Sequence, residues 1–186
     1  GDKSIAVFES PRDVKGVAIL SYAHKVKSDD QWLYLPALKR VKRIASKNKS
    51  GPFLGSEFSF EDFSFQEVEK YEYSFTGEEA CKDSMCFVIE RRPLDLYSGY
   101  TKQLVWIDKE NYLVQKIYHY DRKSFHLKTQ TFEDYRLYQD FFWQPQKIKM
   151  INHQNGKSSI LLFEDVRLNT GFTDKDFSQN SLRRSR

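Results

Sequence analysis

The sequence predicts a mainly β protein built as an antiparallel meander. Segments rich in aromatic and β-branched residues follow one another at near-regular spacing, separated by short polar turns. One of these turns contains Asn155-Gly156, which is the strongest short signal for a β-hairpin. In segment 112–120 both alternating faces carry apolar residues, so the sheet is not simply exposed to water on one side. A curved sheet with a covered concave face and a closed small barrel explain this pattern equally well.

The N-terminal region is predicted to contain two strands, residues 4–8 and 17–22, because both segments have strand composition. Between them, Ser10 can cap a single helical turn, Pro11 suits its first position and Gly16 can end it. A charged loop then leads to the next strand.

A hairpin rich in basic residues follows. Residues 31–35 have the composition of a strand, and the Pro36 ring favours a tight turn after it. The return strand, 40–44, is expected to be half-buried, with Val41 and Ile44 near the apolar side and the cations outside. The cations predicted to contact a partner or a lipid headgroup are Lys39, Arg40, Lys42 and Arg43. A merely solvated face is the alternative, and nucleic acid is not expected because no recognition module accompanies the charges.

Residues 51–63 are a poor strand, because two glycines and a proline interrupt them. They are predicted to form a loop that runs into a short helix capped by Ser59. Gly51 and Gly55 bracket Phe53 and Leu54, so an apolar tip lies between two permissive backbone points. This tip is either a lid over a cavity or a fixed part of the core.

The rest of the chain is expected to be almost entirely strand and turn. The predicted strands are 70–75, 85–91, 99–107, 112–120, 125–137, 141–152 and 158–168. Residues 173–177 are predicted to form a short capped helical turn.

The two cysteines, Cys81 and Cys86, lie in a predicted hairpin connection. Their spacing does not match a thioredoxin-like CxxC motif, and two cysteines are too few for a zinc site. On facing hairpin arms they could satisfy disulfide geometry, so a disulfide is predicted. Two reduced, semi-buried thiols are the alternative.

Residues of the types that carry catalysis are scattered along the chain. The histidines, His24, His119, His126 and His153, form neither an HExxH motif nor a His/Cys cluster at metal-ligand spacing. Ser56 does not lie in a GxSxG motif, and no glycine-rich phosphate loop is present. We therefore expect a protein that is not an enzyme and that uses no metal or cofactor.

The stretch 29–63 resembles the outer-membrane lipoprotein-sorting protein family, the LolA/LolB-like periplasmic carriers, and in particular the branch associated with RND-type exporters. The resemblance rests on residues 30–44, 49–51, 53–58 and 61–62, with Pro11, residues 13–16 and the closing segment 172–184 in agreement. It covers nearly the whole chain. Family members usually begin with a signal peptide, a helix and further strands, so the N-terminal part of the family domain is expected to be absent here.

The resemblance implies an α+β variant of the mainly β class, in which a strongly curved antiparallel sheet forms an incomplete barrel. A loop or short-helix lid would cover its apolar concave face. It also implies a single carrier domain over residues 1–186, a periplasmic location in a Gram-negative envelope, and a lipid or lipoprotein acyl chain as cargo. An RND-type transporter is the implied partner, and transient membrane contact is allowed. A non-carrying accessory subunit that docks to such a transporter is the alternative.

An apolar cavity of this kind is expected to be lined by aromatic and leucine side chains. The predicted ligand-binding residues are Trp32, Tyr34, Phe53, Leu54, Phe58, Phe60, Trp106, Tyr118 and Trp143. For each of them the alternative is a place in the ordinary core.

Overall fold

The computed structural model describes residues 2–82 and 84–184. In these residues eleven strands form two antiparallel sheets. The first sheet has four strands in the order β1-β2-β3-β4. Their bounds are β1 Lys3–Val7, β2 Ala18–Tyr22, β3 Asp30–Leu35 and β4 Arg40–Ile44. The predicted hairpin is therefore confirmed. Residues 10–16 form turns, and Gly16, at φ 78°, takes the left-handed conformation that glycine adopts without a Cβ clash.

The second sheet is a seven-stranded meander in the order β11-β10-β9-β8-β7-β6-β5. Its strands are β5 Tyr71–Ala80, β6 Met85–Pro93, β7 Tyr100–Asp108, β8 Val114–Asp121, β9 His126–Tyr138, β10 Phe142–Asn152 and β11 Ser158–Leu162. Each strand pairs with its sequence neighbour, as predicted, although β11 ends earlier than expected. The sheet is not closed, so the incomplete barrel is confirmed over the closed alternative.

The helices among the described residues are short. The 3₁₀ helices span Pro36–Leu38, Ser46–Asn48, Phe60–Phe63, Val68–Lys70 and Asp174–Asp176. Two of them begin with the predicted caps: Ser59 and Thr173 each form a capping box with the aspartate three residues later. The helix α1, Gln179–Arg184, is not foreseen by the sequence pattern.

The main core lies between the two sheets and is centred on the segment 51–63. Phe53 and Phe58 are 3% and 2% exposed and pack with Ile19 and Leu33 of the first sheet and Met150 of the second. Such burial of aromatic rings supplies most of the force that holds two layers together. The structure therefore places Phe53 in the core that joins the sheets, which agrees with the core alternative for this segment.

A second apolar cluster covers the outer face of the four-stranded sheet. Leu182 of α1 is fully buried against Ala18 and Leu20, and the Tyr22 hydroxyl donates a hydrogen bond to the Phe177 carbonyl at 2.5 Å. Val41 packs in this cluster. Ile44 packs in the main core instead, so the expectation that Val41 and Ile44 share one apolar side is wrong. Residues three apart in a strand point to opposite faces, and here both faces are covered.

The β5–β6 hairpin contains the predicted disulfide. Cys81 and Cys86 are bonded, with their Cα atoms 5.8 Å apart. Cys86 is fully buried beside Val88 and Trp106, so the disulfide joins the hairpin connection to the apolar cluster on the outer face of the large sheet.

Candidate functional site

A cavity of ≈ 710 Å³ opens against the inner face of the seven-stranded sheet. The volume is typical of small-molecule binding sites. Further lining comes from segments 26–29, 61–66 and 94–98 and from Gln31 and Ile44 of the first sheet. Much of the apolar lining comes from the neighbouring strands β8, β9 and β10: Ile117, Phe132, Tyr135, Trp143, Pro145 and Ile148. The cavity can therefore bury a long apolar group.

The rim of this cavity carries exposed apolar side chains. Leu96 is 95% exposed and Val26 89%, and Leu94 and Tyr97 are also exposed; these residues lie on loops 26–29 and 94–98, which Ser28 and Asp95 join by a hydrogen bond. Isolated exposed apolar residues are common, but a group around one opening marks a contact site for a ligand, a membrane or a partner. The rim is suited to receive apolar cargo.

A row of polar side chains crosses the cavity wall over four adjacent strands, β6 to β9. Arg91 Nε donates to Gln103 Oε1 at 2.6 Å. Gln103 Nε2 lies 2.8 Å from His119 Nδ1, and His119 Nε2 lies 3.1 Å from Gln130 Oε1. Because Arg91 can only donate, the amide of Gln103 must donate in turn to His119, whose Nε2–H then donates to Gln130. The row is therefore a chain of donors running in one direction.

This direction keeps His119 neutral. Complete burial lowers the pKa of His119 from 6.5 to about 4. A proton on Nδ1 would also point at the N–H donor of the Gln103 amide. Rotating that amide to offer its oxygen to His119 would instead bring its N–H donors against Arg91 Nε. The row is thus polar along its length and carries its positive charge at the Arg91 end.

An acidic corner joins the segment 59–63 to the start of β7. Glu61 accepts hydrogen bonds from the Ser98 hydroxyl and the Gly99 N–H, both at 2.8 Å. Burial raises the pKa of Glu61. Asp62 accepts hydrogen bonds from Ser59 and from the Tyr100 hydroxyl. A Cβ at Gly99 would lie 2.8 Å from Glu61 Oε1, so the close approach requires glycine.

Comparison with solved structures decides the family. The crystal structure of an outer membrane lipoprotein-sorting protein domain from Vibrio parahaemolyticus is 51% identical, with a TM-score of 0.94, and the match covers 98% of this chain and 78% of that chain. The chain belongs to the outer-membrane lipoprotein-sorting protein family. A family model with the description "Uncharacterized protein" matches residues 1–184.

The fold of this lipoprotein-sorting family extends to more distant structures. A DUF1329 family protein from Desulfovibrio piger is 28% identical over 97% of this chain and 76% of that chain, with a TM-score of 0.90. A LolA superfamily protein from Nitrosomonas europaea, 23% identical over 97% and 78% of the two chains, shares the fold with a TM-score of 0.74. No curated protein matches the chain. The resemblance drawn from residues 30–62 is thereby confirmed.

The residues predicted to line the carrier cavity are divided among several places in this lipoprotein-sorting fold. Trp143 lines the main cavity. Phe53, Leu54 and Phe58 line a separate cavity of ≈ 340 Å³ on the far side of the core. Phe60 packs against Phe53, with ring centroids 5.4 Å apart.

The other predicted residues lie on outer faces of the sheets, which corrects their expected placement in the cavity. Trp32 and Tyr34 pack in the cluster under α1. Trp106 stacks on Tyr118 at 4.5 Å and donates to Glu79, on the face opposite Ile117. Successive side chains of a strand point to opposite faces of the sheet. A residue assigned to the wrong face is therefore separated from the cavity by the whole sheet.

The basic hairpin lies outside the cavity. Lys39, Arg40, Lys42 and Arg43 are all exposed. Arg43 pairs with Asp30, whereas the other three form no ion pair with any described residue. The hairpin can therefore offer free cations to an anionic surface.

Two further observations concern the described residues only. They contain no group of three or more side chains arranged to hold a metal ion. None of their helices is long and apolar enough to cross a membrane.

Sequence reasoning missed the polar row and most of the apolar wall. The row is contributed by Arg91, Gln103, His119 and Gln130. The signal that could have found part of it is the alternation in β8, which already places His119 on the same face as Ile117. Histidine beside isoleucine on a covered face indicates a buried polar group that needs partners.

Proposed function

We propose that this chain is a single periplasmic carrier domain for a lipid, a lipoprotein acyl chain or another apolar cargo. The observation that carries the proposal is the apolar cavity of ≈ 710 Å³ whose rim exposes apolar side chains. Its membership of the lipoprotein-sorting family supports the same function. The disulfide Cys81–Cys86 supports an oxidising compartment such as the periplasm.

The cavity has the energetic capacity for such cargo. Burial contributes roughly 0.8 kcal/mol per CH₂, so an acyl chain of about sixteen carbons would gain on the order of 10 kcal/mol before ordering costs are subtracted. That gain is sufficient to keep a lipid bound to the protein in aqueous solution without a covalent bond. We therefore assign no enzymatic step to the chain, and we infer that it delivers cargo towards the outer membrane with an envelope exporter of the RND type.

Native mass spectrometry of protein purified from the periplasm tests the carrier. Co-purified lipid is the expected result. Trp143→Glu places a charge in the cavity wall and should release the lipid, because burying an unpaired carboxylate beside an acyl chain is unfavourable. Phe141→Glu is the matched control, since Phe141 is 71% exposed and does not line the cavity. An interior that is always free of lipid would contradict the proposal.

A second candidate function, a docking subunit of an RND-type transporter, is favoured by the free cations of Lys39, Arg40 and Lys42. Replacing these residues with glutamate should abolish binding to an exporter or to anionic vesicles and leave bound lipid unchanged if the hairpin only docks. Loss of lipid without loss of docking would contradict this function.

A further inference from the structure

The guanidinium of Arg91 is a half-buried cation in the cavity wall, unlike the exposed Lys27 of the same lining. Its Nε donates a hydrogen bond to Gln103, and its central carbon, Cζ, lies 4.6 Å from the centroid of the Tyr71 ring. No described carboxylate forms an ion pair with Arg91. Two lysines of the same lining do have such partners: Lys49 pairs with Asp95 and Lys70 with Asp29.

The terminal nitrogens of Arg91 are therefore available. A guanidinium has five N–H donors, and the hydrogen bond to Gln103 uses one of them. None of the described buried side-chain nitrogens lacks a partner, so these free donors face open space and not packed protein. The open space beside them is the cavity, because Arg91 lines it. The donors are held in place from two sides by Gln103 and the Tyr71 ring.

The nearby acids do not occupy these donors. Glu61 and Asp62 also line the cavity, but their oxygens accept hydrogen bonds from Ser98, Gly99, Ser59 and Tyr100. Neither carboxylate forms an ion pair with Arg91 among the described residues. Arg91 is thus a fixed cationic fork in the wall of a cavity that also has an extensive apolar lining.

We propose that Arg91 binds the anionic group, a carboxylate or a phosphate, of an amphiphile whose acyl chain fills the cavity. The planar guanidinium matches both oxyanions in a two-point contact. Ile117, Phe132 and Ile148 offer the apolar surface for the chain. The inference rests on the proposed carrier function and narrows its cargo to anionic lipids, as opposed to acyl chains without a charge.

Displacement of a fluorescent apolar probe from the cavity tests this assignment. The competitors are hexadecanoate, hexadecyl phosphate and hexadecanol, which share one chain and differ only in the head. Wild-type protein is expected to bind at least one anionic competitor about tenfold more tightly than the alcohol, which corresponds to about 1.4 kcal/mol. The stronger of the two anions identifies the headgroup chemistry.

Variants separate the charge from the fold. Arg91→Met should reduce the preference for the anion to about onefold and leave affinity for the alcohol unchanged, whereas Arg91→Lys should keep part of the preference. Arg92→Met is the matched control, because Arg92 is exposed, pairs with Glu90 and does not line the cavity. It should retain the full wild-type preference.

The failures are distinguishable. Equal binding of all three competitors by wild type would overturn the Arg91 assignment and leave the carrier function standing. An unchanged preference in Arg91→Met, with the alcohol still bound, would overturn it as well. Failure of every competitor to bind would refute the carrier function itself.

Discussion

Replacement of His119 by glutamine should remove a specific part of the acid sensitivity of this protein. His119 is 1% exposed and is held as a neutral acceptor and donor between Gln103 and Gln130. Glutamine also offers one acceptor and one donor, so His119→Gln can keep the row connected. It removes only the group that titrates.

The magnitude follows from the two pKa values. The pKa of His119 is about 4 in the folded protein and 6.5 without burial. Between these values the unfolded chain binds a proton that the folded chain excludes, so the free energy of unfolding falls as pH falls through this window. The whole window is worth about 3 kcal/mol at about 1.4 kcal/mol per pH unit, and about 2 kcal/mol is already lost at about pH 5.

Urea unfolding of wild type and His119→Gln near neutral pH and at about pH 5 measures this effect. The wild type should lose about 2 kcal/mol more than the variant on acidification, or about 4–8 °C in melting temperature. His153→Gln, which changes an exposed histidine, should keep the steep acid dependence of wild type. An equal loss in wild type and His119→Gln would refute the argument that burial and the one-way donor chain hold His119 neutral.

Three further predictions concern stability. Phe53→Ser should cost about 3–5 kcal/mol because it empties the core between the sheets; a small loss of melting temperature with impaired cargo retention would instead support a lid. Thiol counting under denaturing conditions should find no free thiol at Cys81 or Cys86, and Cys81→Ser should cost about 2 kcal/mol by loop entropy. Asp108→Ala should cost about 1–3 kcal/mol near neutral pH, measured by urea unfolding, since Asp108 accepts the N–H groups of Glu110 and Asn111. The hydrogen bond from the Ser84 hydroxyl, with those from the backbone N–H groups, lowers the pKa of Asp108 below 3.8. The stability that Asp108 contributes should therefore disappear only as pH falls through that lowered pKa.

Local chemistry in the sequence was sufficient for the order of the strands and for several of their ends. The meander could be predicted because antiparallel neighbours are joined by short turns, and turn residues act on their own backbone. The caps at Ser59 and Thr173 were predictable for the same reason, since each partner lies three residues away. The disulfide required only that two cysteines face each other across one hairpin.

The family resemblance supplied what local chemistry could not, namely the choice of an incomplete barrel over a closed one. Strand alternation alone does not decide between them, because both cover two faces of a sheet. The open edges at β5 and β11 settle that choice in the structure.

The composition of the cavity was decided by tertiary structure. Arg91, Gln103 and His119 are separated by twelve and sixteen residues, and the register of the strand pairs brings them into one row. Trp32 lies on the covered outer face because the short helix α1 packs Leu182 there, and a six-residue helix has too little periodicity to be recognised in the sequence. Which face of a strand points inward depends on what the rest of the chain places against it, and only the folded chain contains that information.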